Sequence, residues 1–176
     1  NESAFENDVG FNELSKLPLK LSFLGENAFY ECKNMAADIV ISDNIKIISD
    51  RAFYNCQKLN SLMFGKNVVE IGNSSFYNCN NLVKMGNFPD SLEKIWNSSF
   101  KNCYAIESDL VIPKNVDLIC SEAFYQCRSL KSLRIGQNVI EIGKKAFYIC
   151  SNLAGSLTIP NSVSILGESA FYYCTH

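Results

Sequence analysis

At 176 residues, 47% hydrophobic and 19% charged, the chain has the composition of a folded protein rather than a disordered one. Its net charge of -2 gives no electrostatic reason to expect a nucleic acid or an anionic membrane surface as partner. No apolar run approaches the roughly 20 residues that span a bilayer, so no membrane insertion is expected within this sequence.

From the N-terminus onward the chain keeps returning to one figure, Ala-Phe-Tyr-x-Cys. It stands at Ala28–Cys32, Ala52–Cys56, Ala123–Cys127, Ala146–Cys150 and Ala170–Cys174, with looser copies at Ser75–Cys79 and Ser99–Cys103. The Phe-to-Phe spacings from Phe29 to Phe171 are 24, 23, 24, 24, 23 and 24. A fixed period of this length marks a solenoid, in which each coil buries its apolar face against its neighbours. Ending each repeat at its Cys gives 9–32, 33–56, 57–79, 80–103, 104–127, 128–150 and 151–174. Residues 1–8, with Ala4-Phe5, read as the end of a preceding degenerate repeat, and the whole of 1–176 as one continuous array. The first residues have neither the basic nor the apolar region of a signal peptide. Both ends fall inside the period without a polar capping repeat, so a segment of a longer protein is expected.

The two 23-residue copies show the skeleton most plainly. Leu59, Leu62, Phe64, Val68, Ile71, Phe76 and Cys79 in one correspond to Leu130, Leu133, Ile135, Val139, Ile142, Phe147 and Cys150 in the other. Leu62 to Phe64 alternates inward and outward positions, the period of a half-buried strand, so one short strand per coil is expected to build a parallel sheet. Turns follow at Gly65-Lys66-Asn67, Pro113-Lys114-Asn115, Gly136-Gln137-Asn138 and Pro160-Asn161-Ser162, where Asn and Gly accept positive φ and Pro ends a ladder. A second extended piece (68–71, 139–142) leads to a Gly corner at Gly25, Gly72, Gly143 and Gly167. The Phe figure lacks strand alternation and is expected to form a helical or 3-10 turn on the outer side, with Phe and Cys inward. The 24-residue copies are expected to carry their extra residue as a loop or bulge ahead of the strand, as at Leu153–Pro160.

Leu157-Thr158-Ile159-Pro160-Asn161-Ser162-Val163, then Gly167 and Ala170-Phe171-Tyr172-Tyr173-Cys174, resembles the BspA-like class of leucine-rich repeat, over essentially the whole chain from Phe5 to Cys174. The resemblance implies a right-handed, curved leucine-rich-repeat solenoid with one parallel sheet on its concave face and short second strands. It also implies a surface or secreted protein of the kind bacteria and protists use for adhesion. Local departures are Trp96 and Cys120 at the Gly corner, Ser75 and Ser99 in place of Ala, and Lys101 in place of Tyr.

Seven cysteines at one repeat position invite a metal or disulfide reading. The two nearest in sequence, Cys120 and Cys127, are too far apart for a Cys-x-x-Cys ligand pair, so no metal is expected. In a stacked column each Cys has two equivalent neighbours, which favours burial as a small hydrophobe over pairing. Cys120, away from that column, is the candidate exposed thiol. The Tyr column (Tyr30, Tyr54, Tyr77, Tyr125, Tyr148, Tyr172) reads as a structural ladder or as a lateral interface. Between the inward residues of the first strand stand Val40, Met63, Val111, Arg134 and Thr158, the candidate protein-binding residues of the concave face. The one His is His176, and no phosphate loop or nucleophile figure is present, so neither catalysis nor a cofactor is expected. Asn1, Asn73 and Asn97 head Asn-x-Ser sequons that matter in a eukaryotic secretory route.

Two functions remain open at this point. One is a non-enzymatic binding module of a surface or secreted protein that contacts host or matrix proteins through the sheet face. The other is an intracellular scaffold that assembles with partners, or with itself, through the Tyr stripe and the coil ends. Unpaired cysteines favour the second compartment, the family habit and the sequons the first.

Overall fold

The computed structural model describes residues 17–174. The figure at Ala4-Phe5, the sequon at Asn1 and His176 lie outside the described residues. Within them, eleven short parallel strands stack coil on coil in two columns. The first column holds β1 (Asp38–Val40), β3 (Ser61–Met63), β5 (Lys84–Met85), β7 (Asp109–Val111) and β9 (Ser132–Arg134). The second holds β2 (Ile47–Ile48), β4 (Glu70–Ile71), β6 (Lys94–Ile95), β8 (Leu118–Ile119), β10 (Glu141–Ile142) and β11 (Ile165–Leu166). The array is thus a solenoid of parallel strands.

The second column is one unbroken six-stranded sheet, whereas the first is split into β1-β3-β5 and β7-β9. The sequence shows why. Repeats 33–56 and 104–127 do carry their extra residue ahead of the strand, between Met35 and Ile39 and between Ile106 and Leu110. Repeat 151–174 is also one residue longer there, between Leu153 and Leu157, but forms no first-column strand, and Leu157 is exposed. Repeat 80–103 does not: Met85 pairs with Leu62, and Gly86 still donates to Leu62 C=O at 2.8 Å. Its extra residue lies beyond Met85, at Gly86-Asn87, which corrects the expectation for this coil. Pairing fails after β5 and after β9. Both seams among the described residues fall just before a coil whose spacing ahead of the first-column position is one residue longer, whereas β1 and β7 still pair in register with the coils that follow them.

The outer side is not helical, which overturns the helical or 3-10 expectation. Among the described residues, none of the Phe figure lies in a helix; consecutive β-turns replace it. Tyr54 donates to Arg51 C=O and Cys56 to Phe53 C=O, each closing a four-residue turn. Between them, Phe53 donates to Ser75 C=O and Asn55 to Tyr77 C=O, both at 2.7 Å, in the next coil. A helix would keep all these N–H groups within the chain segment; here alternate ones leave it. The geometry requires left-handed residues on either side of the Phe, and Arg51 (φ 52°) and Asn55 (φ 59°) supply them, as Glu122 and Gln126 or Lys145 and Ile149 do elsewhere. The Asn residues of the turns after the first strand are not left-handed. They stitch coils together instead, Asn67 donating its amide to Asp43 C=O at 2.8 Å and Asn115 to Asp90 C=O at 2.7 Å.

The core runs along the axis. Phe29, Phe53, Phe76, Phe100, Phe124, Phe147 and Phe171 form one continuous stack with centroids 5.1–5.3 Å apart and rings within 8° of parallel. Beside it stands the Cys column. Cys56 Sγ donates to Phe29 C=O at 3.0 Å, Cys103 to Phe76 C=O at 3.0 Å, and Cys79, Cys127 and Cys150 repeat the contact. Each thiol reaches past the preceding coil's turn, so these cysteines pack and donate rather than pair with one another. Because Phe124 is fully buried between two rings, Phe124→Ala should cost about 3–5 kcal/mol by urea unfolding. A cost near zero would show that the stack is not part of the cooperative core.

Candidate protein-interaction surfaces

Of the candidate residues, Val40, Met63, Val111 and Arg134 lie on strands of the first column, and Thr158 lies on no strand. Ile39, Leu62 and Leu110 are buried, while Val40, Met63 and Val111 between them are 41%, 52% and 43% exposed. Arg134 and Thr158 are exposed as well. The register brings Val40 beside Met63 and Val111 beside Arg134. Between these pairs lies Gly86, and the Met63 side chain covers it: a Cβ there would meet Met63 Sδ at 2.8 Å. Thr158 follows the second seam and, among the described residues, is paired with no strand.

Carboxylates that carry no motif of their own, and that sequence reasoning missed, edge this face. Asp38 accepts from Ser61 Oγ at 2.6 Å and Asn60 Nδ2 at 3.0 Å, and these hydrogen bonds hold its pKa below the usual range. Asp109 accepts from Ser132 Oγ at 2.7 Å. The signal is present in the sequence: an Asp at a strand start, followed 23 residues later by a Ser.

The Tyr column forms two stacks. Tyr30, Tyr54 and Tyr77 lie 4.8 Å apart, and Tyr125, Tyr148 and Tyr172 5.0 Å apart. In the gap, Lys101 sets its ammonium 4.6 Å from the Tyr125 ring and 6.0 Å from that of Tyr77, within 2.8 Å of Glu122 Oε2. A cation thus takes the place of a ring. All these tyrosines are half-buried except Tyr172, which is 56% exposed at the last coil.

At the Gly corner, Trp96 donates its indole N–H to Glu70 at 2.8 Å and carries the Lys94 ammonium 5.7 Å from its ring. Cys120, expected as the exposed thiol, is half-buried, and burial first, then Glu141 and Asp117, pushes its pKa up to about 11. The sequon asparagines belong to a side-chain chain: Asn73 donates to Asp50 at 3.0 Å, Asn97 donates to Asn73 at 3.1 Å, and Asn97 accepts from the Ser121 N–H at 3.1 Å. Among the described residues no three His, Cys, Asp or Glu side chains gather as a metal site, and no helix is long and apolar enough to cross a membrane.

The profile of BspA type leucine-rich repeat regions matches residues 1–108 and 106–176, in 6 copies. The chain belongs to the BspA-type leucine-rich-repeat family. Among solved structures, the BspA-type array is similar to a leucine-rich repeat protein of T. pallidum (27% identity, TM-score 0.76, covering 92% of this chain and 77% of that one). It is also similar to a leucine-rich repeat protein of Bacteroides ovatus (25% identity, TM-score 0.68, 99% and 50%). A third is a leucine-rich cell surface protein of Faecalibacterium prausnitzii (25% identity, TM-score 0.74, 91% and 45%). The BspA-type array therefore spans about half the length of the B. ovatus and F. prausnitzii proteins. No curated protein matches its sequence significantly.

The buried thiols of this array make its stability depend on pH. Burial pushes Cys56, Cys79, Cys127 and Cys150 well above the ordinary thiol pKa. Folded, they keep their protons; unfolded, they release them above roughly pH 8.5. Stability is therefore fully present below that pH and falls as pH rises, by up to about tenfold in the folding equilibrium per pH unit for each thiol. Urea midpoints at pH 7.5, 9 and 10 should fall steeply, and Cys79→Ala should flatten the slope. A midpoint constant from pH 7.5 to 10 would contradict the buried, protonated column.

Proposed function

We propose that the array is a non-enzymatic protein-binding module of a surface or secreted protein, making adhesion-type contacts with host or matrix proteins through the concave face of its first strand column. The observation that carries this reading is the exposure of Val40 and Met63 on one hydrogen-bonded ladder and of Val111 on the next, across the first seam. Single exposed hydrophobes are ordinary on any surface. Here Val40 and Met63 share the outward position of neighbouring coils and Val111 holds it two coils further on, with Met63 laid over Gly86 in the coil between. They are held by backbone pairing, so a partner would bury them with little loss of freedom. Arg134 and Thr158 extend the same face with polar groups. The cell-surface description of the F. prausnitzii relative supports the compartment. In a eukaryotic secretory route, Asn73 and Asn97 would be the glycan acceptors.

A second reading is favoured by the thiol column and the last coil. Six of its thiols donate to Phe carbonyls rather than forming disulfides, as suits a reducing compartment. Tyr172, Tyr173, Ile165 and Leu166, on the last described coil, are all more than half exposed. In that reading the array is an intracellular scaffold assembling through its Tyr stripe or coil ends.

Surface plasmon resonance on immobilised plasma and matrix glycoproteins separates the two. Val40→Glu, Met63→Glu and Val111→Glu together should weaken adhesion at least about tenfold, as charges at the centre of an interface do, with unchanged far-UV circular dichroism. Tyr172→Ala should leave adhesion intact. No adhesion to any of these glycoproteins, with self-association that Tyr172→Ala abolishes, would replace the first reading with the second.

A further inference from the structure

The second seam leaves part of the β9 backbone without a neighbour. In this column alternate residues of one coil face the next: Ile41 N–H donates to Met63 C=O at 2.9 Å, and Leu62 C=O accepts from Gly86 N–H at 2.8 Å. The pairing of β7 with β9 follows the same alternation, with Ile112 N–H donating to Arg134 C=O at 2.8 Å. Ser132 and Arg134 thereby spend their backbone groups on β7. Leu133 N–H, Leu133 C=O and Ile135 N–H point toward the last coil, and among the described residues no backbone group meets them. The last coil is tied to its neighbour on both sides of this point. Ala154 donates to Lys131 C=O at 2.9 Å, and Ser162 Oγ to Val139 C=O at 2.7 Å. Between these ties, residues 155–159 swing away, leaving at Gly155 (φ +89°), where a Cβ would meet nothing.

What remains is a cleft of about 510 Å³ with Leu133 in its floor and Arg134 on its rim. The first seam has the same open edge at Met85, but its cleft is only about 10 Å³. Arg134 is exposed and makes no ion pair among the described residues; the neighbouring Lys131 is engaged by Glu107 at 3.3 Å. The Asp109 carboxylate nearby already accepts from Ser132.

The geometry points to strand addition at this seam: an extended peptide segment carrying an acidic side chain takes the place that residues 156–158 leave, pairing its backbone with Leu133 and Ile135 and its carboxylate with Arg134. Main-chain pairing supplies the register, since three backbone groups at strand spacing fit only an extended chain. The carboxylate supplies the selectivity, through the charge-assisted hydrogen bonds a guanidinium offers. An unpaired, unblocked strand edge is otherwise a liability that folded proteins cover. The inference rests on the protein-binding reading above and shares Arg134 with it, but it is read at the Leu133 and Ile135 amides rather than at Val40, Met63 and Val111, so the two fail separately.

The test is a titration of the ¹⁵N-labelled 176-residue protein with acetyl-Ser-Val-Glu-Val-Thr-amide, read by amide shifts and hydrogen exchange. The Leu133 and Ile135 amides should exchange fast in the free protein and slow at least about tenfold on saturation, while Leu110, already paired, stays slow throughout. Arg134→Glu should weaken binding at least about tenfold, and the same loss should follow in the unaltered protein when the peptide's Glu is replaced by Lys. Three results overturn the inference. One is no shift at Leu133 and Ile135. Another is affinity indifferent to both charge changes. The third is protection of these amides in the free protein, which would mean that residues 155–159 already close on the edge. None of the three bears on Val40, Met63 and Val111.

Discussion

At the outer corner of each coil the backbone divides its N–H groups between two destinations. In the second full repeat, Tyr54 and Cys56 donate back into their own turns, while Phe53 and Asn55 donate forward to the next coil. The forward bonds lock one corner onto the next at a fixed spacing, and the Phe stack forms because that spacing suits parallel rings. The same bonds set the register of the second strand column, five residues upstream of each Phe. From Ile48 to Phe53, Ile71 to Phe76, Ile95 to Phe100, Ile119 to Phe124 and Ile142 to Phe147 the separation never changes. A corner held this tightly accepts no insertion.

Length variation is therefore expelled to the other side of the coil. The stretch from the Phe figure's Cys to the next buried Leu, Met or Ile is constant, as at Cys56–Leu59, Cys79–Leu82 and Cys127–Leu130. All the variation falls between that residue and the one before the Gly or Pro turn, such as Leu59 to Phe64, Leu82 to Phe88 or Ile106 to Ile112. This is the first strand and its approach. The two seams in the first column are the consequence of insertions that the corner, the Phe stack and the second sheet cannot absorb.

Much of this is legible in the amino-acid order alone, because the period, the Phe and Cys positions and the strand alternation are all one-dimensional signals. Alternation by itself places Val40, Met63 and Val111 outward. The corner is not legible in that way. Its left-handed positions are filled by Arg51, Ser74, Glu122, Lys145 and even the β-branched Ile149, none of which signals positive φ by its own preference. The conformation is imposed by hydrogen bonds to the neighbouring coil, and so it is absent from any local reading. The insertion of repeat 80–103 escapes for a related reason. Only pairing of Met85 with Leu62 reveals that the strand starts on time and runs long. Lys101 is visible as a departure, but its role is not. The ammonium between Tyr77 and Tyr125 makes sense only once Glu122 is seen beside it.

The division between an invariant corner and a variable strand side also separates stability from recognition. Phe53, Phe76 and Cys79 cannot change size without disturbing the coils on both sides, since each is fully buried between two neighbours. Met63 and Arg134 have their backbone held from behind and their side chains exposed, Met63 lying over Gly86, so a change of either side chain leaves the Phe stack and the corner untouched. The half-buried Tyr column stands between these extremes, tolerating one exchange of ring for cation but keeping its contacts. An insertion before a strand goes further than a side-chain change, since it frees backbone groups as well. At Leu133 it converts part of the ladder that builds the solenoid into an edge that another chain can read, without loosening the corner that carries the array's stability.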